Sequence, residues 1–275
     1  SYDRLTEVQL MDDEDSGTRV SLDSIPTESS KFIHLNHLDF HYYGPRSPKV
    51  LDDICCTIPF GKTTAIVGES GSGKTTLIKI LLKFYYNYSG DIFYDQINQK
   101  ELSAKSLRSC CGVVMQDGYI FSDTLERNIA TGGGTVNKDM LLRAVQIAEL
   151  EDFVRSLPQG FNTMLGTGGN GISGGQRQRI LIARAVYKNP NFFLFDEATS
   201  SLDAETERKI YDNLDIFLKG KTVIKIAHRL STVKNANQII VLKKGRIIEC
   251  GIHTELINAK GAYYNLVKNQ LELGN

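Results

Sequence analysis

An α/β fold built on a mostly parallel sheet is what this sequence predicts, and three observations carry the prediction. Candidate strands and helices alternate along the chain, as in sheets whose crossovers are helical. The run at 192–195 is continuously apolar, and that at 222–227 is apolar or β-branched except at Lys225, as strands covered on both faces should be. Finally, Thr63-Thr64-Ala65-Ile66-Val67 leads through Gly68-Glu69-Ser70-Gly71-Ser72-Gly73-Lys74-Thr75 into an amphipathic stretch, a strand–glycine loop–helix unit.

Taken in order, residues 1–30 are polar, with an acidic run at Asp12-Asp13-Glu14-Asp15, and have linker composition. A strand is expected from Phe32 to Tyr42, with Leu38, Phe40 and Tyr42 on one face and Gly44-Pro45 ending it. A second runs through Ile54–Ile58 to the turn at Pro59-Phe60-Gly61. After the glycine loop, Leu77, Ile80, Leu81 and Phe84 recur at i, i+3, i+4 and i+7, the stripe of a helix packed on a sheet. Residues 91–94 and 112–115 read as strands, and 138–153 and 176–187 as helices. In the latter, Ile180, Ala183 and Tyr187, with Ile182 and Val186, form an apolar girdle that implies a buried helix. Ile239–Leu242 and Arg246–Cys250 make a hairpin around Lys244-Gly245, and the tail beyond His253 is expected to be helical. There is no internal repeat or low-complexity tract.

Composition narrows the function classes. The 275 residues suffice for one large α/β core with a subdomain, and 41% hydrophobic and 23% charged residues are those of an ordinary globular protein. Lys+Arg and Asp+Glu both total 32, so the basic footprint of a nucleic-acid binder is missing. No apolar run is long enough to span a bilayer, and the N-terminus has no signal-peptide pattern. The start at Ser1 is expected of a fragment of something longer. The cysteines Cys55, Cys56, Cys110, Cys111 and Cys250 lack any Cys-x-x-Cys spacing and read as reduced, structural thiols. His34, His37 and His41 do not read as a metal cluster, because strand alternation sends His34 and His37 to opposite faces.

The chemistry concentrates at strand ends. In a loop such as Gly68–Thr75 the glycines let backbone N–H groups close around phosphate oxygens, and the helix N-terminus adds its positive dipole end. Lys74 would reach the β/γ-phosphates and Thr75 would offer its hydroxyl to Mg²⁺. The four defining positions coincide by chance in about one chain in a hundred of this length. The strand at 192–195 ends in Asp196-Glu197, at the sheet edge where ligands bind. Asp196 is placed to hold Mg²⁺ and Glu197 to act as general base on water; a capping role for Asp196 or Thr199 is the alternative. His228 follows the strand at 222–227 and could contact a γ-phosphate or be structural. Ile172-Ser173-Gly174-Gly175-Gln176 is a second glycine loop opening a helix; without a lysine it is not a second P-loop.

Gly68–Thr75, Gln116, Ser173–Gln176, Phe192–Glu197, Ser201-Leu202-Asp203 and His228, in this order, resemble the ATP-binding-cassette (ABC) ATPases over residues 32 to about 270. The chain looks like the nucleotide-binding domain of a transporter. The resemblance implies a P-loop NTPase (RecA-like) core, mostly parallel, with an antiparallel β subdomain and an α-helical subdomain at about 117–187. The domain would span 31–275, with 1–30 a linker from a transmembrane domain absent from this chain. It implies ATP and Mg²⁺ as ligands, with Gly68, Glu69, Ser70, Gly71, Ser72, Gly73, Lys74, Thr75 and Thr76 on the nucleotide. Thr75, Gln116 and Asp196 would serve the metal, and Lys74, Gln116, Glu197 and His228 catalysis. Tyr42 stands where the family places an aromatic that stacks on adenine, with Tyr43 as fallback.

The resemblance further implies that Ser173, Gly174, Gly175, Gln176 and Asp203 serve the nucleotide of a second copy, or of a paralogous half, in a head-to-tail dimer. Residues 120–129 look like the exporter form, which implies the cytoplasmic face of the cell inner membrane. Similarity from Gly171 through Pro190 suggests peptidase-containing exporters of peptides or bacteriocins; exporters of lipids or drugs, and a soluble cassette ATPase acting on DNA or ribosomes, are the alternatives. A small-molecule kinase leaves the Ser173 loop and His228 without a role. Intact Lys74, Asp196, Glu197 and His228 argue against a module without turnover. Two departures stand out: Gly166–Gly171 lacks the acidic residue exporters commonly carry there, and Ile172 replaces a leucine.

Overall fold

A computed structural model describes residues 32–132, 134–166, 171–196, 202–227 and 233–273. The strands are β1 (Phe32–Phe40), β2 (Leu51–Pro59), β3 (Thr63–Val67), β4 (Tyr88–Tyr94), β5 (Ile97–Asn98), β6 (Cys111–Val114), β7 (Phe192–Asp196), β8 (Thr222–Ile226), β9 (Gln238–Lys243) and β10 (Arg246–Gly251). The helices are α1 (Lys74–Leu81), α2 (Ala104–Ser109), α3 (Leu125–Ile129), α4 (Lys138–Ile147), α5 (Glu151–Ser156), α6 (Gly174–Lys188), α7 (Ala204–Phe217), α8 (His253–Ala259) and α9 (Ala262–Leu273). An antiparallel sheet has the order β2-β1-β4-β5, and a larger sheet the order β10-β9-β3-β8-β7-β6. In the larger sheet β3, β6, β7, β8 and β9 run parallel, and β10 folds back on β9.

Side-chain alternation divides the parallel strands between cores. Phe192 and Leu194 of β7 and Ile224 and Ile226 of β8 join the core shared with α1 and the antiparallel sheet. Phe193, Phe195 and Val223 point the other way, into the core of α3 to α7. Ala65 and Val67 of β3, with Ile239 and Val241 of β9, meet Leu256 of α8 and Tyr263 and Val267 of α9. The continuous apolar runs are therefore buried on both faces, and each large side chain removed from water contributes about 1.5–3 kcal/mol.

The structure differs from the sequence expectations at several element ends. The single helix expected at 138–153 is two, α4 and α5, because Glu149 takes a left-handed backbone (φ 54°) and turns the chain while Leu150 stays buried. Helix α1 stops at Leu81; Lys83 is left-handed (φ 56°), so Phe84 leaves the apolar stripe and is exposed beneath the Arg108 guanidinium, 4.8 Å from the ring centroid. Strand β1 ends at Phe40, which puts Tyr42 in a turn rather than on the strand. The tail helix is divided at Lys260, again left-handed (φ 53°). Helix α7 escaped the sequence reading because most of its surface is charged. Its buried Ile210, Leu214 and Phe217, at i, i+4 and i+7, were the available signal.

All five cysteines are free, but the structural reading suits only part of the set: Cys111 is buried, whereas Cys55 and Cys250 are exposed. No helix among the described residues is long and apolar enough to cross a membrane.

Candidate functional site

Strand β3 delivers the glycine loop, and the surroundings explain its composition. Gly68 (φ 150°) has the Leu242 carbonyl oxygen of β9 only 2.0 Å from where a Cβ would stand. Gly73 (φ 103°) would place a Cβ 2.8 Å from Leu51 Cδ2 and 2.9 Å from the Val50 carbonyl oxygen. The loop is thus threaded between β9 and the start of β2, with no room for a side chain at Gly68 or Gly73. The β9–β10 turn braces it further: the Gly245 N–H donates to the Ser72 carbonyl oxygen (3.1 Å), and the Asp52 N–H donates to the Gly245 carbonyl oxygen (2.9 Å). Arg246 holds the Asp52 carboxylate at 2.6 Å, tying the same turn to β2.

Inside this cradle the polar groups face inward. Lys74 opens α1 with 6% of its surface exposed, and its Nζ donates to the carbonyl oxygens of Gly68 (2.9 Å) and Glu69 (2.8 Å). The Ser72 hydroxyl is buried and makes no hydrogen bond among the described residues. A buried hydroxyl left so costs about 1–3 kcal/mol, so the loop fits a ligand that brings acceptors to it. An ammonium group folded back on loop carbonyls and an unsatisfied hydroxyl beside a helix N-terminus suit a polyphosphate. Glu69, Ser70 and Gly71 form the exposed lip.

The Thr75 hydroxyl donates to Asp196 Oδ1 at 3.2 Å, joining the head of α1 to the end of β7. Asp196 is 1% exposed. A hydroxyl and a buried carboxylate in contact form the hard oxygen pair that suits Mg²⁺. The strand register places the other motifs on this edge. Ile226 of β8 pairs with Ile66 of β3 on one side and Asp196 of β7 on the other, so these strands end level with one another. Gln116 lies in an exposed turn two residues beyond the end of β6. Glu197 and His228 follow the ends of β7 and β8 but lie outside the described residues, as do Thr199 and Ser201.

Tyr42 is anchored beside the loop: its hydroxyl and Thr76 Oγ1 are 2.8 Å apart, and its ring meets Phe40 and Tyr85 edge-on at 5.1 and 5.4 Å. It is 43% exposed, whereas Tyr43 is 93% exposed. The bond from Thr76 to Tyr42 has no sequence signal, since a helix hydroxyl and a turn phenol 34 positions apart carry no shared pattern.

The second glycine loop opens α6 through a capping box: Ser173 Oγ accepts from the Gln176 N–H (3.1 Å), and Gln176 Oε1 accepts from the Ser173 N–H (2.8 Å). Ser173, Gly174 and Gly175 share a shallow concavity of about 310 Å³ with Arg179, Leu202, Asp203 and Thr206. Asp203 caps α7 through the Thr206 N–H (2.9 Å), and that bond holds its carboxyl below the usual range. Arg179 was missed by the sequence reading. Its Nη1 donates to the Glu149 carbonyl oxygen (2.6 Å), while its buried Nε has no partner among the described residues. A guanidinium bordering the buried run Ile180–Ala183 was the available clue.

The structure therefore sorts the expected site residues into two groups. Lys74, Thr75, Thr76, Asp196 and Tyr42 are linked around the P-loop, with Gln116 on the same sheet edge. Ser173 to Gly175 and Asp203 line a separate concavity.

Comparison with known proteins agrees with this geometry. The ABC transporter family model matches residues 51–200. An ATP-dependent lipid A-core flippase of Methylococcus capsulatus is 46% identical over 229 residues, 83% of this chain and 38% of the flippase. A putative multidrug export ATP-binding/permease protein of Staphylococcus aureus is 41% identical over 259 residues, 94% of this chain and 45% of that protein. The solved structure of a bacterial Atm1-family ABC exporter with ATP bound superposes with a TM-score of 0.86 at 34% identity, covering 98% of this chain and 47% of that one. The chain spans less than half the length of each of these relatives. Motif order, sheet-edge geometry and family match together place this chain in the ABC transporter family.

Proposed function

We propose that this chain is the ATP-binding and ATP-hydrolysing motor of an exporter, dimerising head-to-tail on ATP. The observation that carries the reading is the cradle itself: the buried, unsatisfied Ser72 hydroxyl, Lys74 folded onto the loop, and the Thr75–Asp196 pair at one sheet edge. Lys74 swings from the Gly68 and Glu69 carbonyls to the β- and γ-phosphates and offsets the charge developing on the transferred group. Thr75 and Asp196 hold Mg²⁺, with Gln116 completing its surroundings; the ion, when bound, neutralises the phosphate oxygens. Glu197 accepts the proton of the attacking water and His228 orients the γ-phosphate and that water. Tyr42 stacks on adenine. Residues 31–275 form the motor, with 117–187 its helical subdomain, and 1–30 connect it to a transmembrane domain at the cytoplasmic face of the membrane.

The exported substrate is a lipid or drug-like amphipath. The names of the flippase and of the multidrug protein support this alternative better than the peptide or bacteriocin reading drawn from 171–190. Glu197→Gln tests the motor reading: the amide cannot take the water's proton, so ATP binding persists, hydrolysis stops and sedimentation with ATP shows a stabilised dimer. Wild-type turnover in that variant would remove Glu197 from the base role.

A further inference from the structure

Where β1 pairs with β2, the antiparallel sheet departs from regular pairing. The β1–β2 register shifts twice, between Leu35↔Cys56 and Leu38↔Ile54 and again before Phe40↔Leu51; His37 (φ 48°) in the first shift and Asp53 (φ 54°) in the second both take left-handed backbone. Non-glycine residues at positive φ are uncommon, and bulges re-aim side chains. The break is held in place from both sides. Asp39 Oδ1 accepts the Asp53 N–H at 2.8 Å, and a Cβ on Gly90 of β4 would stand 2.3 Å from the His37 carbonyl oxygen.

The outcome is a convergence of unlike donors: His37, Asp53 and Cys55 bring ligand atoms within 4.8 Å of one another on an exposed face. His37 Nδ1 lies 2.6 Å from Asp53 Oδ1 and 3.5 Å from Cys55 Sγ, and Sγ lies 3.8 Å from Oδ1. A nucleophile–base–carboxylate relay would use the two ring nitrogens separately. Here the thiol and the carboxylate both approach the same nitrogen, so no such relay forms and the three ligand atoms stand clustered.

We propose that His37, Asp53 and Cys55 form a surface site for a divalent cation of the zinc type, independent of the Mg²⁺ of the nucleotide site. An imidazole nitrogen, a thiolate and a carboxylate suit Zn²⁺, whereas Mg²⁺ prefers oxygen alone. Bonds of about 2.0–2.3 Å at tetrahedral angles separate ligand atoms by roughly 3.3–3.8 Å. The two distances to sulfur nearly meet that span, and only the Nδ1–Oδ1 contact must open, by about 1 Å. Binding would release the Cys55 thiol proton to solvent and shift the His37 ring proton to Nε2. The His37 N–H, 3.2 Å from Sγ, is in place to donate to the thiolate, and the fourth position would go to water. The ion would pin β1 to β2 across their irregular segment.

The test uses the full chain under a thiol-free reductant, titrated with Co²⁺ alone and with Zn²⁺ alone. A thiolate-to-cobalt charge-transfer band should saturate at one equivalent and disappear on adding one equivalent of Zn²⁺. Cys55→Ser should abolish the band, and His37→Asn and Asp53→Asn should weaken Zn²⁺ binding at least tenfold; asparagine is chosen because it tolerates positive φ. Cys250→Ser should leave the band intact, and ATP affinity should be unchanged in all four variants. Absence of the band in wild type, its survival in Cys55→Ser, its loss in Cys250→Ser, or undiminished Zn²⁺ binding in His37→Asn would overturn the proposal.

Discussion

At the P-loop a buried hydroxyl lacks a partner among the described residues, whereas at the head of α6 the capping groups satisfy one another and only the Arg179 Nε is left without one. Lys74 and Ser72 are 6% and 3% exposed, one folded onto loop carbonyls and the other with a hydroxyl that has no partner among the described residues. Ser173 and Gln176, by contrast, satisfy each other in a capping box, and Asp203 caps α7. The first arrangement is the one expected to bind a ligand without outside help, because its donors are already shielded from water. An exposed helix N-terminus attracts an anion by only about 0.3–1 kcal/mol, and it strengthens when a second surface excludes water from it. This difference is the physical reason to expect the α6 end to act only after a partner closes over it.

The largest effect that probes this contrast is at Lys74. Lys74→Ala removes the cation facing the transferred phosphate and should lower turnover by about 100- to 1000-fold or abolish it, measured as steady-state phosphate release. Near-normal turnover would mean that the buried loop is not where the chemistry occurs. A smaller effect is expected at Tyr42. Stacking on a base contributes on the order of 1–3 kcal/mol, so Tyr42→Ala should weaken ATP binding about fivefold or more, as read by calorimetry. Tyr42→Phe or Tyr42→Trp keeps an aromatic ring and should not weaken ATP binding, although the hydroxyl contact with Thr76 is lost. Unchanged affinity in Tyr42→Ala, with Tyr43→Ala defective, would move the role to Tyr43.

The smallest effect belongs to the α6 end of the isolated chain. Ser173→Ala should cost about 1 kcal/mol in denaturant unfolding through the lost cap, while leaving monomeric ATP binding unchanged. A large loss of ATP affinity in the monomer would break the distinction between the two ends.

The P-loop was legible because its chemistry requires a contiguous run between a strand and a helix. Asp196 was legible because it ends a run of apolar residues. What was not legible depends on single backbone choices or on long-range packing. Nothing in the sequence marks Glu149 or Lys83 as left-handed, yet these two positions end α4 and α1. Strict alternation also fails between Leu35 and Leu38, both buried although three positions apart, so side-chain faces inferred from alternation do not carry across the bulge near His37. The pair Leu35/Leu38 was the one sequence sign of that irregularity. The brace of the P-loop by the Gly245 turn is invisible for another reason, since it joins residues far apart in the chain.

Mixing two inactive variants asks whether the α6 end serves the nucleotide of a second copy. Lys74→Ala and Gly175→Asp each put one lesion in every composite site, so each alone should lack activity. Mixed dimers would hold both lesions in one site and none in the other. With random pairing, ATPase activity should recover to roughly a quarter of wild type at most. In a Glu197→Gln background, ATP-dependent heterodimers of the two variants should form whether or not the sites turn over independently. Absence of both signals, with each variant shown to be folded, would contradict that role.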